Sequence, residues 1–197
     1  MTKKRSMTVM VVVLAAAVVL TGGLMASNMG FKLNRALLAG SDPGSNSGTQ
    51  TLGLPYNRQV GIDTASELFS DITGVQNIQA YNTATDGYLF YSFGSPDFAL
   101  EAGRGLFVKA GQNFNYIVVG SHDPSAVIQL ESAGAASNSG TNLYAPPYHA
   151  TAATARALFE ELGGANVQNI QGYNTATDGF NFYSFGSLDF NINPGEA

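Results

Sequence analysis

Residues 75–98 read VQNIQAYNTATDGYLFYSFGSPDF, and residues 167–190 repeat them as VQNIQGYNTATDGFNFYSFGSLDF. The copies align without a gap and differ at four positions, which are Ala80/Gly172, Tyr88/Phe180, Leu89/Asn181 and Pro96/Leu188. They start 92 residues apart, a spacing that suits a small domain better than a solenoid repeat. The sequence therefore predicts two copies of one module.

Each copy begins with a predicted strand and a predicted helix. The strands are TLGLPYN at 51–57 and LYAPPYH at 143–149, and their prolines favour a sheet edge or a strand end. The helices are TASELFSDI, with Thr64 as N-cap, and TARALFEEL, with Thr154 as N-cap. Both helices carry an apolar stripe at helical spacing, so each is expected to pack on a sheet through one face.

The first helix has a stronger start signal than the second. Glu67 lies three residues after Thr64 and completes a capping box, whereas Ala157 occupies that place in the second copy. The repeated segment then predicts a hairpin, with NTATDG as its turn and Gly87 or Gly179 in positive φ.

The end of the second copy differs from the first. After its hairpin the first copy continues through LFVKAG and NYIVVG, which predict a second hairpin, whereas the second copy stops at Ala197. We expect module two to be truncated at its C-terminal end, or its sheet to be completed by a strand from another chain. GFKLNRALL at 30–38, readable as strand or helix, could also fill an open edge within the chain or from a neighbour.

The predicted fold class is α+β, with two tandem small modules preceded by a signal peptide. Each module is expected to be a mostly antiparallel β-sheet with one packed helix. The predicted division is a signal peptide at 1–27, module one at 28–125 and module two at 126–197. The charged fraction of 12% is too low for a disordered chain.

The N-terminus has the pattern of an export signal. Lys3, Lys4 and Arg5 precede an apolar run from Met7 to Leu20, and small residues follow it. The alternative is an uncleaved anchor, although the run is short against the ~20 residues that span a bilayer. We therefore expect a secreted, periplasmic or cell-surface protein with no membrane segment after cleavage.

Charge and composition exclude several classes of function. Cleavage after residue 27 leaves six basic and 14 acidic side chains, a formal charge of −8, which disfavours nucleic acid as a partner. The chain has no Cys, so disulfides cannot stabilise it. A calcium loop that began at Asn82 of NTATDG would need oxygen ligands at its third and twelfth positions, but these are Ala84 and Phe93. The motif is therefore interpreted as a structural turn. His122 and His149 have no counterparts in the other copy, so we expect no metal, no cofactor and no catalytic residue.

Aromatic residues are the one functional signal. The candidate ligand-binding residues belong to the two hairpins and are Tyr81, Asn82, Tyr91, Tyr173, Asn174 and Tyr183. Exposed tyrosine suits protein surfaces and sugar faces. The alternative is that the strand YLFYSF lies centrally in its sheet and is covered on both sides.

Four motifs carry a resemblance to a family. They are Leu54-Pro55-Tyr56, Thr64–Phe69, Tyr81-Asn82 and Asp97–Gly105. In this order they resemble a group of uncharacterised exported bacterial repeat proteins with LPY, TAxxLF and DFxLxxGxG modules, over residues 50–120 and 143–197. The resemblance implies an aromatic-rich strand after the final glycine, and it implies no activity.

The predicted function is non-enzymatic binding or scaffolding in the cell envelope or the extracellular space. Its partner is expected to be a protein or glycan surface. The alternatives are a structural subunit that self-associates through an open sheet edge by strand exchange, and a carbohydrate-binding module.

Overall fold

The computed structural model describes residues 30–54, 57–58, 61–121, 123, 126–134, 137–146, 150–193 and 195. The predicted signal peptide lies outside these residues. Within them the chain forms nine strands and two short helices, and all strand pairs are antiparallel. The fold is thus of the α+β class, as predicted.

The elements alternate along the chain. Their bounds are β1 Gly30–Leu37, β2 Thr49–Gly53, β3 Asn57–Arg58, α1 Ala65–Asp71, β4 Val75–Asn82, β5 Gly87–Tyr91, β6 Gly105–Ala110, β7 Phe114–Ser121, α2 Ala155–Glu161, β8 Ile170–Asn174 and β9 Gly179–Tyr183.

The largest sheet has four strands in the order β2-β6-β4-β5. Its centre is apolar, because Ile78 of β4 lies opposite Val108 of β6, and both side chains are fully buried. Ile78 also lies opposite Tyr91 of β5. The burial of Ile78 and Val108 fixes the register, since a slip by one residue would expose both.

The second sheet has three strands in the order β1-β7-β3, and this pairing differs from the predicted one. LFVKAG and NYIVVG do form strands, β6 and β7, but the two belong to different sheets and are not a hairpin. The reason is that β2 and β4 already occupy both edges of β6. Residues 30–37 form β1, which pairs along its whole length with β7. This segment therefore does not fill an edge of the second copy within the chain.

The helix starts follow the sequence prediction. Thr64 Oγ1 accepts the Glu67 N–H at 3.3 Å and Glu67 Oε2 accepts the Thr64 N–H at 3.0 Å, so the capping box forms. Thr154 Oγ1 accepts the Ala157 N–H at 3.2 Å without a reciprocal bond. The predicted stripe of α1 faces the main core, where Leu68 is fully buried.

The second repeated hairpin has the register of the first. Ile170 lies opposite Tyr183 and Asn174 opposite Gly179, as Ile78 lies opposite Tyr91 and Asn82 opposite Gly87. In contrast to β4 and β5, β8 and β9 form a sheet of two strands among the described residues. A separate small core lies beneath them and includes Phe159.

The proline-containing strands are shorter than predicted. β2 ends at Gly53 and β3 covers Asn57 and Arg58. In the second copy Tyr144 makes an isolated bridge to Arg104, and residues 147–149 lie outside the described residues.

Candidate binding surface

The two NTATDG turns are closed by their own side chains. Asn82 Oδ1 accepts the Ala84 N–H at 3.0 Å, and the Tyr81 hydroxyl donates to Asp86 Oδ1 at 2.8 Å. The residue in positive φ is Asp86, at 53°, and not Gly87 as predicted. Aspartate tolerates this region better than most residues, and its carboxylate is held there by hydrogen bonds.

The second turn repeats this geometry. Asn174 Oδ1 accepts the Ala176 N–H at 3.1 Å, and Tyr173 Oη donates to Asp178 Oδ1 at 2.7 Å. Asp178 has a φ of 54°. Four of the six predicted ligand-binding residues, Tyr81, Asn82, Tyr173 and Asn174, therefore shape the two turns.

Each turn is held by a loop from the other copy. Asn138 Nδ2 donates to Asp86 Oδ2 at 2.9 Å, Ser139 Oγ donates to Asp86 Oδ1 at 2.8 Å, and the Asn138 N–H donates to the Thr83 carbonyl at 3.0 Å. The donors belong to the sequence SNSGT at 137–141. This loop lies within the segment 126–197 that was predicted as module two, but it binds the turn of the first copy.

The reverse contact is equally formed. Asn46 Nδ2 and Ser47 Oγ donate to the two carboxylate oxygens of Asp178, both at 2.9 Å. The Asn46 N–H donates to the Thr175 carbonyl at 2.9 Å. These donors belong to the SNSGT at 45–49. We name the two loops 45–49 and 137–141, with the turns 82–87 and 174–179 that they hold, the reciprocal clasp.

The clasp favours ionised aspartates. Hydrogen bonds from Ser139 first, and from Tyr81 next, lower the pKa of Asp86. The bond from Tyr173 is the main cause that lowers the pKa of Asp178, and Ser47 and Asn46 add to it. Burial first, and the bond to Asp178 second, raise the pKa of Tyr173 to about 12. Both carboxylates are therefore acceptors at neutral pH.

A row of five rings also joins the copies. The edge-to-face neighbours are Tyr81–Tyr88 at 5.4 Å, Tyr88–Phe107 at 5.8 Å, Phe107–Tyr173 at 5.1 Å and Tyr173–Phe180 at 5.4 Å between centroids. Such contacts favour tight packing beyond the area they bury. Tyr81 and Tyr173 are thus brought towards each other through Phe107, which the sequence analysis did not single out.

The remaining two candidates face the helices instead. Tyr91 packs edge-to-face on Phe69 of α1 at 5.5 Å, and Tyr183 packs on Phe159 of α2 at 5.7 Å. Tyr183 is 4% exposed, and its hydroxyl accepts Arg156 Nε–H at 3.2 Å. The structure therefore separates the six predicted residues into a turn group and a helix-facing group.

β5 is an edge strand with an apolar surface. Tyr88, Leu89 and Phe90 are all exposed, and among the described strands β5 pairs with β4 alone. The alternative that this strand is central and covered on both sides is therefore wrong. Tyr88 and Phe90 lie on one face of this strand and Leu89 on the other, and exposed rings of this kind suit contact with another surface.

The most exposed rings lie just beyond the two hairpins. Phe93 is 95% exposed and Phe185 is 93% exposed. Each precedes a glycine of positive φ in a tight turn, and the turn is closed by Ser95 N–H to Ser92 O or by Ser187 N–H to Ser184 O, both at 2.9 Å. We name the turns 92–95 and 184–187 the aromatic tips. The period-two pattern of YLFYSF predicts that Phe93 lies in a strand, and Phe185 has the same place in the second copy. The sequence therefore did not indicate that either ring lies in an exposed turn.

A cleft lies between α2 and the second aromatic tip. It has a volume of about 630 Å³, which is within the ~300–1,000 Å³ range of ligand pockets. Its lining is aromatic with two charged groups, and the residues are Arg156, Phe159, Glu160, Gly164, Tyr183, Phe185 and Gly186. The Arg156 guanidinium lies 5.9 Å from the centroid of the Tyr183 ring, a cation–π distance.

The described residues also bear on metal binding and on membrane crossing. In the described part of the chain, no three His, Asp or Glu side chains form a group that could hold a metal ion. Neither helix of the described residues has the length and apolar character needed to cross a membrane. No protein-family model, no curated protein and no solved structure matches this chain.

Proposed function

We propose that this chain is an exported, non-enzymatic binding or scaffolding protein of the cell envelope or extracellular space. It consists of two tandem modules, at 28–125 and 126–197, behind a signal peptide at 1–27. Export is supported by the basic and apolar pattern of the N-terminus. The tandem arrangement is supported by the equal register of the two repeated hairpins and by the helix that packs on a tyrosine of each.

The observation that carries the binding role is the pair of aromatic tips. Moving a phenylalanine ring out of water lowers the free energy. Two rings that are almost fully exposed therefore favour binding to a partner that covers them. The hydrogen bonds of each tip hold its backbone in one conformation. A partner then pays little ordering entropy at these positions.

The candidate residues enter this proposal with different roles. Tyr81, Asn82, Tyr173 and Asn174 position the hairpins, and Tyr91 and Tyr183 support the helices beside the tips. Contact with a partner is assigned to Phe93, Phe185 and the exposed edge of β5. The partner is a protein or glycan surface, and no cofactor takes part.

The experiment measures location and adhesion together. The full chain is expressed in a bacterium, the cell fractions are probed for it, and the purified chain is titrated onto intact cells and isolated cell walls. The double variant Phe93→Ser/Phe185→Ser should bind at least tenfold more weakly than the parent. Val127→Ser is the matched control, because Val127 is also 87% exposed but belongs to neither tip.

Two results would contradict the proposal. A chain that stays in the cytoplasm would exclude export. Equal adhesion by the double variant and by the Val127 control would exclude the tips as the binding surface.

A structural subunit is the second candidate, and the two-stranded sheet favours it. β8 pairs with β9 alone among the described strands, whereas β4, its counterpart, pairs with both β5 and β6. An incoming strand could therefore extend this sheet at β8. Hydrogen exchange that slows at residues 170–174 with rising protein concentration would support strand exchange, and unchanged exchange would oppose it. A glycan array tests the third alternative, the carbohydrate-binding module.

A further inference from the structure

The charged lining of the cleft beside α2 is specific to the second copy. Arg156 and Glu160 give it a charged rim, and the first helix has Ser66 and Ser70 at the corresponding positions. The aromatic floor is repeated, since Phe69 and Tyr91 correspond to Phe159 and Tyr183. The two copies therefore offer the same aromatic tip, but the second copy adds a charged acceptor.

The first aromatic tip has the complementary properties. Phe93 is the more exposed of the two tip rings and is free of the cleft, whereas Phe185 forms part of the cleft wall. Asp97 follows Phe93 after four residues and is the one charged residue of the segment 92–97. Its exposed carboxylate accepts the Ser66 N–H, the Ser66 hydroxyl and the Phe98 N–H, which leaves about one of its four lone pairs for a further donor.

The cleft offers matching groups for such a tip. Phe159 and Tyr183 form an aromatic floor, which a ring can meet edge-to-face. Arg156 Nε is held by the Tyr183 hydroxyl, and Asp189 and Glu160 of the same chain also attract the guanidinium. Among the described residues the structure records no hydrogen bond from its terminal amino groups. A carboxylate that arrives with the ring can therefore accept from the guanidinium fork.

We propose that the cleft of one chain receives the Phe93 tip of a second copy of the same chain, with Arg156 paired to Asp97 of that copy. The contact uses different surfaces on its two sides, so it is heterologous and links chains head to tail. The inference rests on the proposed function, because it names the partner of one of the aromatic tips.

Complementation between two variants tests this arrangement. The full chain is purified in its processed form, and its association is measured by sedimentation velocity over a concentration series. Phe93→Ser removes the tip but keeps the cleft, and Arg156→Glu opposes Asp97 in the cleft but keeps the tip. Each variant alone should associate at least tenfold more weakly than the parent. The two mixed together should form a complex of one chain of each, because one intact tip and one intact cleft remain.

The controls separate the outcomes. Val127→Ser should associate as the parent does, and circular dichroism should show both variants folded, since both side chains are exposed. Parent association should also weaken in high salt, which screens the charge pair. A parent that remains monomeric, an effect of Phe93→Ser without an effect of Arg156→Glu, or a failure of the mixture to pair would each overturn the inference. If the parent is monomeric but still binds cells through its aromatic tips, the proposed function stands and the self-contact alone is wrong.

Discussion

Substitution of Leu68 by alanine tests whether α1 holds the main sheet together. Leu68 is 0% exposed and belongs to the main core cluster with Ile78 and Val108. The change removes three carbon atoms, which is worth about 2.4 kcal/mol at ~0.8 kcal/mol per buried CH₂. The cavity left behind adds to this loss, so we expect about 3–4 kcal/mol in total.

Urea unfolding followed by circular dichroism measures this loss. The unfolding midpoint should fall while the slope stays unchanged, because the native fold and the exposed surface on unfolding are retained. In thermal melts the same loss corresponds to a drop of roughly 6–16 °C for a chain of this size.

Leu158→Ala is the matched control in the second helix. Leu158 is 7% exposed and belongs to neither core cluster, so its surroundings can relax and the loss should be smaller, about 2 kcal/mol. A Leu68→Ala loss below about 0.5 kcal/mol would place that face of α1 in solvent. A larger loss at Leu158 than at Leu68 would refute the expected ranking of these two sites.

Two further predictions concern the clasp and the helix caps. Hydrogen bonds lower the pKa of Asp86 and Asp178 in the folded state. The stability that these aspartates contribute is therefore complete above the unfolded pKa of about 3.9 and is lost as pH falls through the lowered values. Asp86→Asn/Asp178→Asn should lower the melting temperature at pH 7 and flatten its decline between about pH 4 and pH 2, and an unchanged decline would contradict the clasp. In urea unfolding, Thr64→Ala should lower the free energy of unfolding by about 1 kcal/mol. Ala157→Glu should raise it by about 0.5 kcal/mol, because it gives α2 a new capping box. A destabilising Ala157→Glu would show that the reciprocal bond cannot form at the second cap.

The local elements were predictable because their signals are local. The capping box of Thr64 and Glu67 and the buried stripe of α1 follow from residues within one turn of each other. The fold class follows as well, since strand and helix patterns alternate along the chain. What failed was strand pairing. LFVKAG and NYIVVG are neighbours in sequence with a short connection, which favours a hairpin. In the structure β2 and β4 pair with the two edges of β6, so β7 cannot pair with it.

The candidate site was only partly predictable for a similar reason. Alternation along YLFYSF places Phe93 on one strand face with Leu89 and Tyr91, but the strand ends at Tyr91 and the ring is exposed in the turn that follows. Tyr183 had the same pattern as Tyr91, yet the charged rim beside it depends on Arg156, a helix residue 27 positions away. No periodicity within the hairpin carries that information.

The reciprocal clasp could not be read from the repeat, although every residue in it is repeated. Identical copies of SNSGT and of NTATDG leave open whether a loop holds the turn of its own copy or of the other. The structure has the crossed arrangement, with Ser139 on Asp86 and Ser47 on Asp178. Each turn then keeps its aspartate in positive φ with donors that the other copy supplies. Once one crossing is formed, the second is an intramolecular closure at high effective concentration, so the two copies are expected to unfold in one transition.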